Sequence, residues 1–285
     1  MGSITGSTAL AQNELLHVGD QLRPTPTDVL HRSWGDVRLP LLQIIMALGI
    51  AIAGISASAI AQERGPDGRA RNPGLTGWCE TPVSDRKSEL GCYTTAVTKL
   101  GVLPSQVALY WQLDIFPDTA SAEANRGPFG TVVHSHGKNW LFTIAEQTWR
   151  PRGGERVATI GPLVVDRDVS YSAHYSEAVI SPGFQNEIAG HRHPGPEAWF
   201  ILTGGQCLET PNGVMVGLAG QSMLAPEGWP MAISSFGTDT RRSVFMVLHR
   251  SDERYALPVN AKPDSPHAQW QPKGLCAGLS QKSAR

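Results

Sequence analysis

The fold is decided by the stretch Gly190-His191-Arg192-His193-Pro194-Gly195-Pro196-Glu197, which continues as Ala198-Trp199-Phe200-Ile201-Leu202-Thr203-Gly204. Side chains two positions apart on an extended strand leave the same face, so His191 and His193 are expected to point together. The Pro-Gly-Pro segment cannot continue a strand and predicts a reversal, after which Glu197 opens a second strand close to both imidazoles. Two imidazoles and one carboxylate converging on one point are typical ligands of a divalent metal ion.

Short apolar or alternating segments flank this stretch on both sides. Strands are predicted at 91–98, 106–115, 131–136, 139–144, 170–180, 206–210, 214–218, 222–224 and 242–248, with a strand pair over 156–165 broken at Gly161-Pro162 and a helical turn at 119–125. Turn-forming residues are frequent, with 30 Gly and 21 Pro, and no strand–helix–strand alternation is present. The pattern therefore predicts an all-β sandwich or barrel.

Two spaced motifs resemble those of the cupin superfamily. The first cupin motif, G-x5-H-x-H-x3,4-E-x6-G, is matched from its first His onward by His191, His193, Glu197 and Gly204. Its leading Gly is not matched, because Gly183 lies two residues too far upstream.

The second cupin motif, G-x5-P-x-G-x2-H-x3-N, is matched by Gly220, Pro226 and Gly228. The slot of the fourth metal ligand holds Met231, and the slot of the final Asn holds Ser235. A thioether is a soft, weak ligand that suits copper(I) better than iron(II), manganese or zinc.

The resemblance implies a double-stranded β-helix, the cupin jelly-roll barrel, with a motif core at 165–250. The barrel domain is expected over 91–255, with additional N-terminal strands and a polar tail at 256–285. His191, His193 and Glu197 would bind a divalent metal ion (Fe, Mn, Zn or Cu), with Met231 a doubtful fourth ligand. The implied activity is that of a metal-dependent oxidoreductase of dioxygenase type acting on a small organic molecule. The alternative is a non-enzymatic small-molecule-binding protein whose metal site is structural or degenerate.

The N-terminal part differs from the rest. Residues 39–55 form an uncharged apolar run that is preceded by Arg38 and followed by Ala59-Ile60-Ala61, which predicts a cleaved signal peptide over 37–61, with a membrane anchor as the alternative. Residues 1–36 are a polar leader, interpreted as a misassigned extension or a disordered leader, and 62–90 are expected to be an irregular arm. The net charge is −1 and no basic block is present, which argues against a nucleic-acid partner. An exported protein, periplasmic or secreted, is expected, with a homodimer as the default oligomer.

Export changes how the four cysteines are interpreted. An even number of cysteines in an oxidising compartment favours disulfide bonds. The pair Cys79–Cys92 is favoured, because it closes the shortest loop. Cys207 pairs with Cys276, or is a buried thiol, or, as a less favoured hypothesis, approaches the metal.

Further histidines, an arginine pair and several aromatic residues could serve a site, but each also has a structural interpretation. His134 and His136 form a second H-x-H, but no acidic residue follows at the motif spacing, so surface or packing roles are favoured. His174 is expected to be a hydrogen-bonded wall residue, with a general base as the minor alternative. Arg241-Arg242 is interpreted as an exposed pair, with binding of an anionic substrate as the alternative. Half of the aromatic set is expected to face the pocket: Tyr171, Tyr175, Trp199 and Phe200.

Overall fold

A computed structural model of the protein describes residues 79–184 and 190–282. The predicted leader, the signal peptide or anchor, and the first part of the arm lie outside these residues. Within them, no helix is long and apolar enough to cross a membrane.

Eight consecutive strands, β6 to β13, form a barrel. Their bounds are β6 Ser170–Ile180, β7 His191–Arg192, β8 Glu197–Thr203, β9 Gly205–Thr210, β10 Gly213–Leu218, β11 Ser222–Ala225, β12 Ala232–Phe236 and β13 Arg241–Arg250. Of these, β12 was not predicted from the sequence, and the histidine strand β7 is only two residues long.

The antiparallel pairs of the barrel are nested. β6 pairs with β13, and β8 pairs with β11. β9 pairs with β10 around the turn at Pro211-Asn212, and β7 joins the segment just before β12 through a bridge between His191 and Met231. The eight strands are thus one long hairpin wound into a helix, which is the double-stranded β-helix predicted from the sequence.

Two sheets face each other across the barrel interior. One has the strand order β1-β6-β13-β8-β11, and the other contains β10-β9-β12. Because strand residues alternate between faces, every second residue of these strands lines the interior. The lining is largely apolar: Cys92, Ala178, Ile180, Phe184, Trp199, Ile201, Leu208, Met223, Ala225, Met231 and Phe245.

The N-terminal strands extend this barrel in two ways. β1 (Gly91–Val102) pairs with β6 and widens the first sheet. A separate sheet of order β3-β4-β2-β5 packs on that sheet's outer face, with bounds β2 Leu109–Phe116, β3 Gly130–Ser135, β4 Lys138–Glu146 and β5 Glu155–Leu163. The predicted helical turn is present as α1 (Thr119–Ala124), capped by Asp118.

The predicted strand pair over 156–165 is wrong. β5 is one strand that continues through Gly161-Pro162, whose peptide bond is cis. Proline lacks an N–H, but β5 is an edge strand, so no ladder hydrogen bond is required at that position.

The C-terminal segment 251–282, called the strap, runs across the second sheet. Its β14 (Leu257–Pro258) pairs with β7, and it ends in α2 (Ala277–Lys282). The backbone N–H of Leu275 donates to Glu209 at 2.8 Å, and Cys276 is disulfide-bonded to Cys207. The polar tail expected from the sequence is therefore fixed to the barrel at both ends.

The four cysteines form two disulfide bonds. The favoured Cys79–Cys92 pair is confirmed, and Cys207 pairs with Cys276. The hypotheses that Cys207 is a free buried thiol or approaches the metal are wrong, because its side chain lies on the outer face of β9, toward the strap.

Candidate metal centre

Three candidate ligands converge inside the barrel at the start of β7 and β8. One ligand atom each from His191, His193 and Glu197 lies within 4.8 Å of the others, and all three residues are buried. His193 Nε2 lies 2.9 Å from Glu197 Oε2. Two ligands of one ion lie at most about 4.4 Å apart at bond lengths of about 2.0–2.2 Å. The set fits one ion after side-chain movements of a few tenths of an ångström.

The turn between the histidines and Glu197 depends on a glycine. A Cβ on Gly195 would lie 1.7 Å from the carbonyl oxygen of Leu248. The N–H of Leu248 in turn donates to the carbonyl of Pro196 at 3.0 Å. Only a residue without a side chain lets the reversal pack this closely on β13, and this contact fixes where Glu197 enters its strand.

Tyr255 orients one of the histidines. The backbone carbonyl of Tyr255 accepts a hydrogen bond of 2.5 Å from Nδ1 of His193, which leaves Nε2 toward Glu197. A carbonyl behind a ligating imidazole fixes its tautomer and ring direction, as is common around metal ligands. Tyr255 lies on the strap, so the strap contributes directly to the geometry of the centre.

The two histidines have opposite electrostatic character. Burial, and then the charge of His193, lower the pKa of His191 to about 3, so this ring is neutral and able to offer a lone pair. Burial alone would also lower the pKa of His193, but the charge and hydrogen bond of Glu197 and the Tyr255 carbonyl outweigh it and raise the pKa. Neutral imidazoles and an ionised carboxylate are the forms that bind metal.

Met231 lies directly opposite His191. The two residues exchange both backbone hydrogen bonds, at 2.8 and 3.2 Å, and directly opposed strand residues project to the same face. Met231 is 1% exposed and belongs to the interior lining. The second-motif position therefore faces the centre, but with a thioether in place of an imidazole.

The last position of the second motif, Ser235, has a structural role. Its hydroxyl donates to the carbonyl of Ser181, and the N–H of Phe184 donates to it at 2.9 Å. Ser235 thus closes the end of β6 onto β12.

The nested pairing therefore brings the two motifs together, partly on strands and partly in the turns between them. The barrel is a cupin fold. Chains of similar structure are an uncharacterized conserved protein with a double-stranded β-helix domain from Klebsiella pneumoniae, the DMSP lyase DddQ from Ruegeria pomeroyi and the oxalate decarboxylase from Bacillus subtilis.

These similarities concern about a third of the chain. The Klebsiella protein is 23% identical with a TM-score of 0.25, and the match covers 35% of this chain and 78% of that one. The lyase is 21% identical with a TM-score of 0.26, covering 33% and 45%. The decarboxylase is 10% identical with a TM-score of 0.27, covering 36% and 31%. No family model and no curated protein matches the chain.

More aromatic and imidazole groups surround the centre than the sequence indicated. The ring of Tyr255 stacks on His174 at 3.8 Å between centroids and lies 6.0 Å from His193 and 6.4 Å from His249. As expected, His174 is a hydrogen-bonded wall residue, since its Nε2 lies 2.9 Å from the hydroxyl of Thr94. Burial, and then the charges of His249 and His193, lower its pKa to about 4.

Tyr255 and His249 were missed from the sequence. Alternation along β13 places His249 on the same face as Phe245, which could have identified it. Nothing in the sequence indicates that a residue following the last barrel strand turns back over the centre.

The remaining candidates lie elsewhere. His134 is exposed and pairs with Asn139, and His136 contacts the carbonyl of Ser243 at 3.1 Å, so both have the favoured surface and packing roles. Of the four aromatic residues, only Trp199 is part of the interior lining, so the prediction that half of them face the pocket is wrong. The other three pack between the first sheet and the N-terminal sheet: Tyr171, Tyr175 and Phe200.

The interpretation of Arg241-Arg242 as an exposed pair is wrong for Arg241. Arg242 pairs with Glu89 at the surface. Arg241 is 5% exposed and occupies the other face of β13, which is the interior face.

Proposed function

We propose that this protein is an exported cupin metalloprotein, a metal-dependent oxidoreductase of dioxygenase type that acts on a small organic molecule. The observation that carries the proposal is the buried set of His191, His193 and Glu197, with the thioether of Met231 at the bridged position beside His191. Two imidazoles and one carboxylate on one side of an ion leave positions for a substrate and a small oxidant beside each other.

The chain's own groups would set the properties of such a centre. A redox-active divalent ion would supply the Lewis-acid and electron-transfer chemistry. The carbonyl of Tyr255 holds the His193 ring in the tautomer that presents Nε2, and burial keeps His191 neutral. The apolar wall around Trp199 limits water, which strengthens the electrostatic effect of Glu197. Met231 would add at most a weak donor beside these three ligands.

Two disulfides support the proposed compartment. Disulfides form and persist in oxidising environments, which agrees with export. The segment 37–61 would then act as the signal peptide. N-terminal sequencing of the exported protein tests this assignment, and a mature N-terminus within the first thirty residues would contradict it.

Elemental analysis of the full-length protein tests the metal centre. Wild type is compared with His191→Ala and with His134→Ala, which removes an exposed histidine and serves as the matched control. Stoichiometric iron, manganese or copper that is lost only in His191→Ala supports the oxidoreductase. Zinc lost in the same variant would contradict the oxidoreductase, because zinc has no redox chemistry. Absence of metal from the wild type after expression with each metal would refute the proposal.

A further inference from the structure

Several buried polar side chains in the barrel interior have no hydrogen-bond partner among the residues that the structure describes. The described residues offer no hydrogen bond to the Nε of Arg241, to either amide atom of Gln206, or to the hydroxyls of Ser176 and Ser243. Gln206, Ser176 and Ser243 are completely buried. A buried polar group without a hydrogen bond costs about 1–3 kcal/mol, so a bound polar ligand would recover free energy at a cluster of such groups.

All four side chains lie on interior faces. Arg241 is paired with Ile180 and Ser243 with Ala178, and both partners belong to the interior lining. Ser176 is paired with Phe245, another lining residue. Gln206 is two positions before Leu208 on β9 and therefore shares its face.

Arg241 differs from most arginines that this structure describes. Six of the eleven arginines in the described ranges pair with a carboxylate: Arg86, Arg126, Arg156, Arg242, Arg250 and Arg254. The Nε of Arg241 has no hydrogen-bond partner and its guanidinium has no ion pair among the described residues, although the side chain is nearly fully buried. Arg192 is also buried with unpartnered nitrogens, but it lies between the two ligand histidines on the opposite face of β7 and packs on Gly228.

The guanidinium of Arg241 and the metal centre share one interior. Glu197 is paired with Val247 at one end of β13, and Arg241 lies at the other end of the same strand. Burial lowers the pKa of Arg241 to about 10, and the charge of Glu197 acts in the opposite direction, so the two groups interact electrostatically across the barrel.

We propose that the barrel interior binds a small organic carboxylate, with the carboxylate on Arg241 and Gln206 and the other end of the molecule toward His191, His193 and Glu197. A guanidinium donates two parallel hydrogen bonds to a carboxylate, and the amide of Gln206 adds a donor. With a divalent ion on Glu197, the interior carries two net positive charges, which a dianion neutralises. The assignment of the far end to the metal rests on the proposed function; the carboxylate contact to Arg241 does not.

Calorimetric titration of the metal-loaded and metal-free protein tests the proposal. The probes are malonate, succinate and glutarate, each beside its neutral diamide, with inorganic phosphate as the competing anion. We expect at least one dicarboxylate to bind ten-fold or more tightly than its diamide and than phosphate. Arg241→Met is expected to abolish this preference, whereas Arg242→Met, the neighbouring arginine on the outer face, leaves it unchanged.

Thermal unfolding separates a ligand-binding role from a structural one. A buried arginine without a partner destabilises the free protein, so Arg241→Met should keep or raise the melting temperature while binding is lost. A lower melting temperature would identify Arg241 as structural and overturn the proposal. Equal binding of acids and diamides, or tighter binding of phosphate, would also overturn it.

The two proposals fail in different ways. Carboxylate binding that depends on Arg241 in a protein that never retains metal would refute the proposed oxidoreductase and support the carboxylate site. Retained metal without any carboxylate preference would refute the carboxylate site alone.

Discussion

Removal of the Cys207–Cys276 disulfide tests how the strap supports both the fold and the metal centre. The bonded residues are 69 positions apart, whereas Cys79 and Cys92 are 13 apart. The chain-entropy relation then gives a loss of about 4.4 kcal/mol in the free energy of unfolding for the double variant Cys207→Ser/Cys276→Ser and about 2.9 kcal/mol for Cys79→Ser/Cys92→Ser.

The metal centre should respond to only one of these changes. The strap delivers the Tyr255 carbonyl that fixes the His193 ring, and β14 on the strap pairs with His191. Loss of such a supporting contact costs about ten-fold or more in metal affinity. We expect this weakening in Cys207→Ser/Cys276→Ser, and unchanged affinity in Cys79→Ser/Cys92→Ser, which serves as the matched control.

Urea unfolding of the metal-free proteins gives the stability difference, and competition with a chelator gives the metal affinity. The reasoning is refuted if the variant without Cys79–Cys92 loses more stability than the other. It is also refuted if both variants retain metal equally well, because the strap would then not support the centre.

Three further changes test individual residues. Met231→His should raise metal retention about ten-fold or more, because an imidazole replaces a weak ligand opposite His191. Gly195→Ala should cost about 3 kcal/mol or more in urea unfolding, because its Cβ would collide with a backbone carbonyl of β13. Gly278→Ala, in α2 where the space is open, should be neutral or slightly stabilising. Burial lowers the pKa of His174 to about 4. Between about pH 6.5 and 4 the unfolded chain therefore binds a proton at His174 that the native protein does not bind. As the pH falls through this range, the free energy of unfolding should decrease by up to about 1.4 kcal/mol per pH unit. In the metal-free protein, His174→Gln should remove this contribution and leave that of the other buried histidines, such as His191, whereas replacement of the exposed His134 should leave the slope unchanged.

Each of these expectations has a contrary result. Unchanged metal retention in Met231→His would place that side chain away from the centre. A Gly195→Ala protein as stable as Gly278→Ala would mean that the turn can move away from β13. An unaltered acid slope in His174→Gln would assign the acid sensitivity to other groups.

Much of the barrel could be predicted because its signals are local. Alternation identified β6, and the Pro-Gly-Pro turn with its flanking histidines located the reversal before Glu197. The β12 strand was missed because Ala232–Phe236 is short and mixes serines with apolar residues. The break predicted at Gly161-Pro162 failed because an edge position tolerates proline, and edge positions are defined by tertiary pairing rather than by local sequence.

The site was predicted only in part, because some of its residues are brought together by tertiary pairing and not by local sequence. His191, His193 and Glu197 lie within one short segment, so their spacing reveals them. Tyr255 reaches the centre through the strap, and its partner His193 is 62 positions away. Arg241 and Arg242 are adjacent and chemically alike, and only the register of β13 against β6 decides which of them faces the interior.

The nested pairing has a consequence for how the chain could be divided. Every antiparallel pair of the eight-strand barrel joins a strand before the Pro211-Asn212 turn to one after it. Cutting there would give two fragments, one carrying His191, His193 and Glu197 and the other carrying Met231 and Arg241. Neither half could bury its own apolar face, but each is complementary to the other over its whole length. We therefore expect the co-expressed halves to reassemble, covalently linked through Cys207–Cys276, and to migrate as one species until a reductant is added.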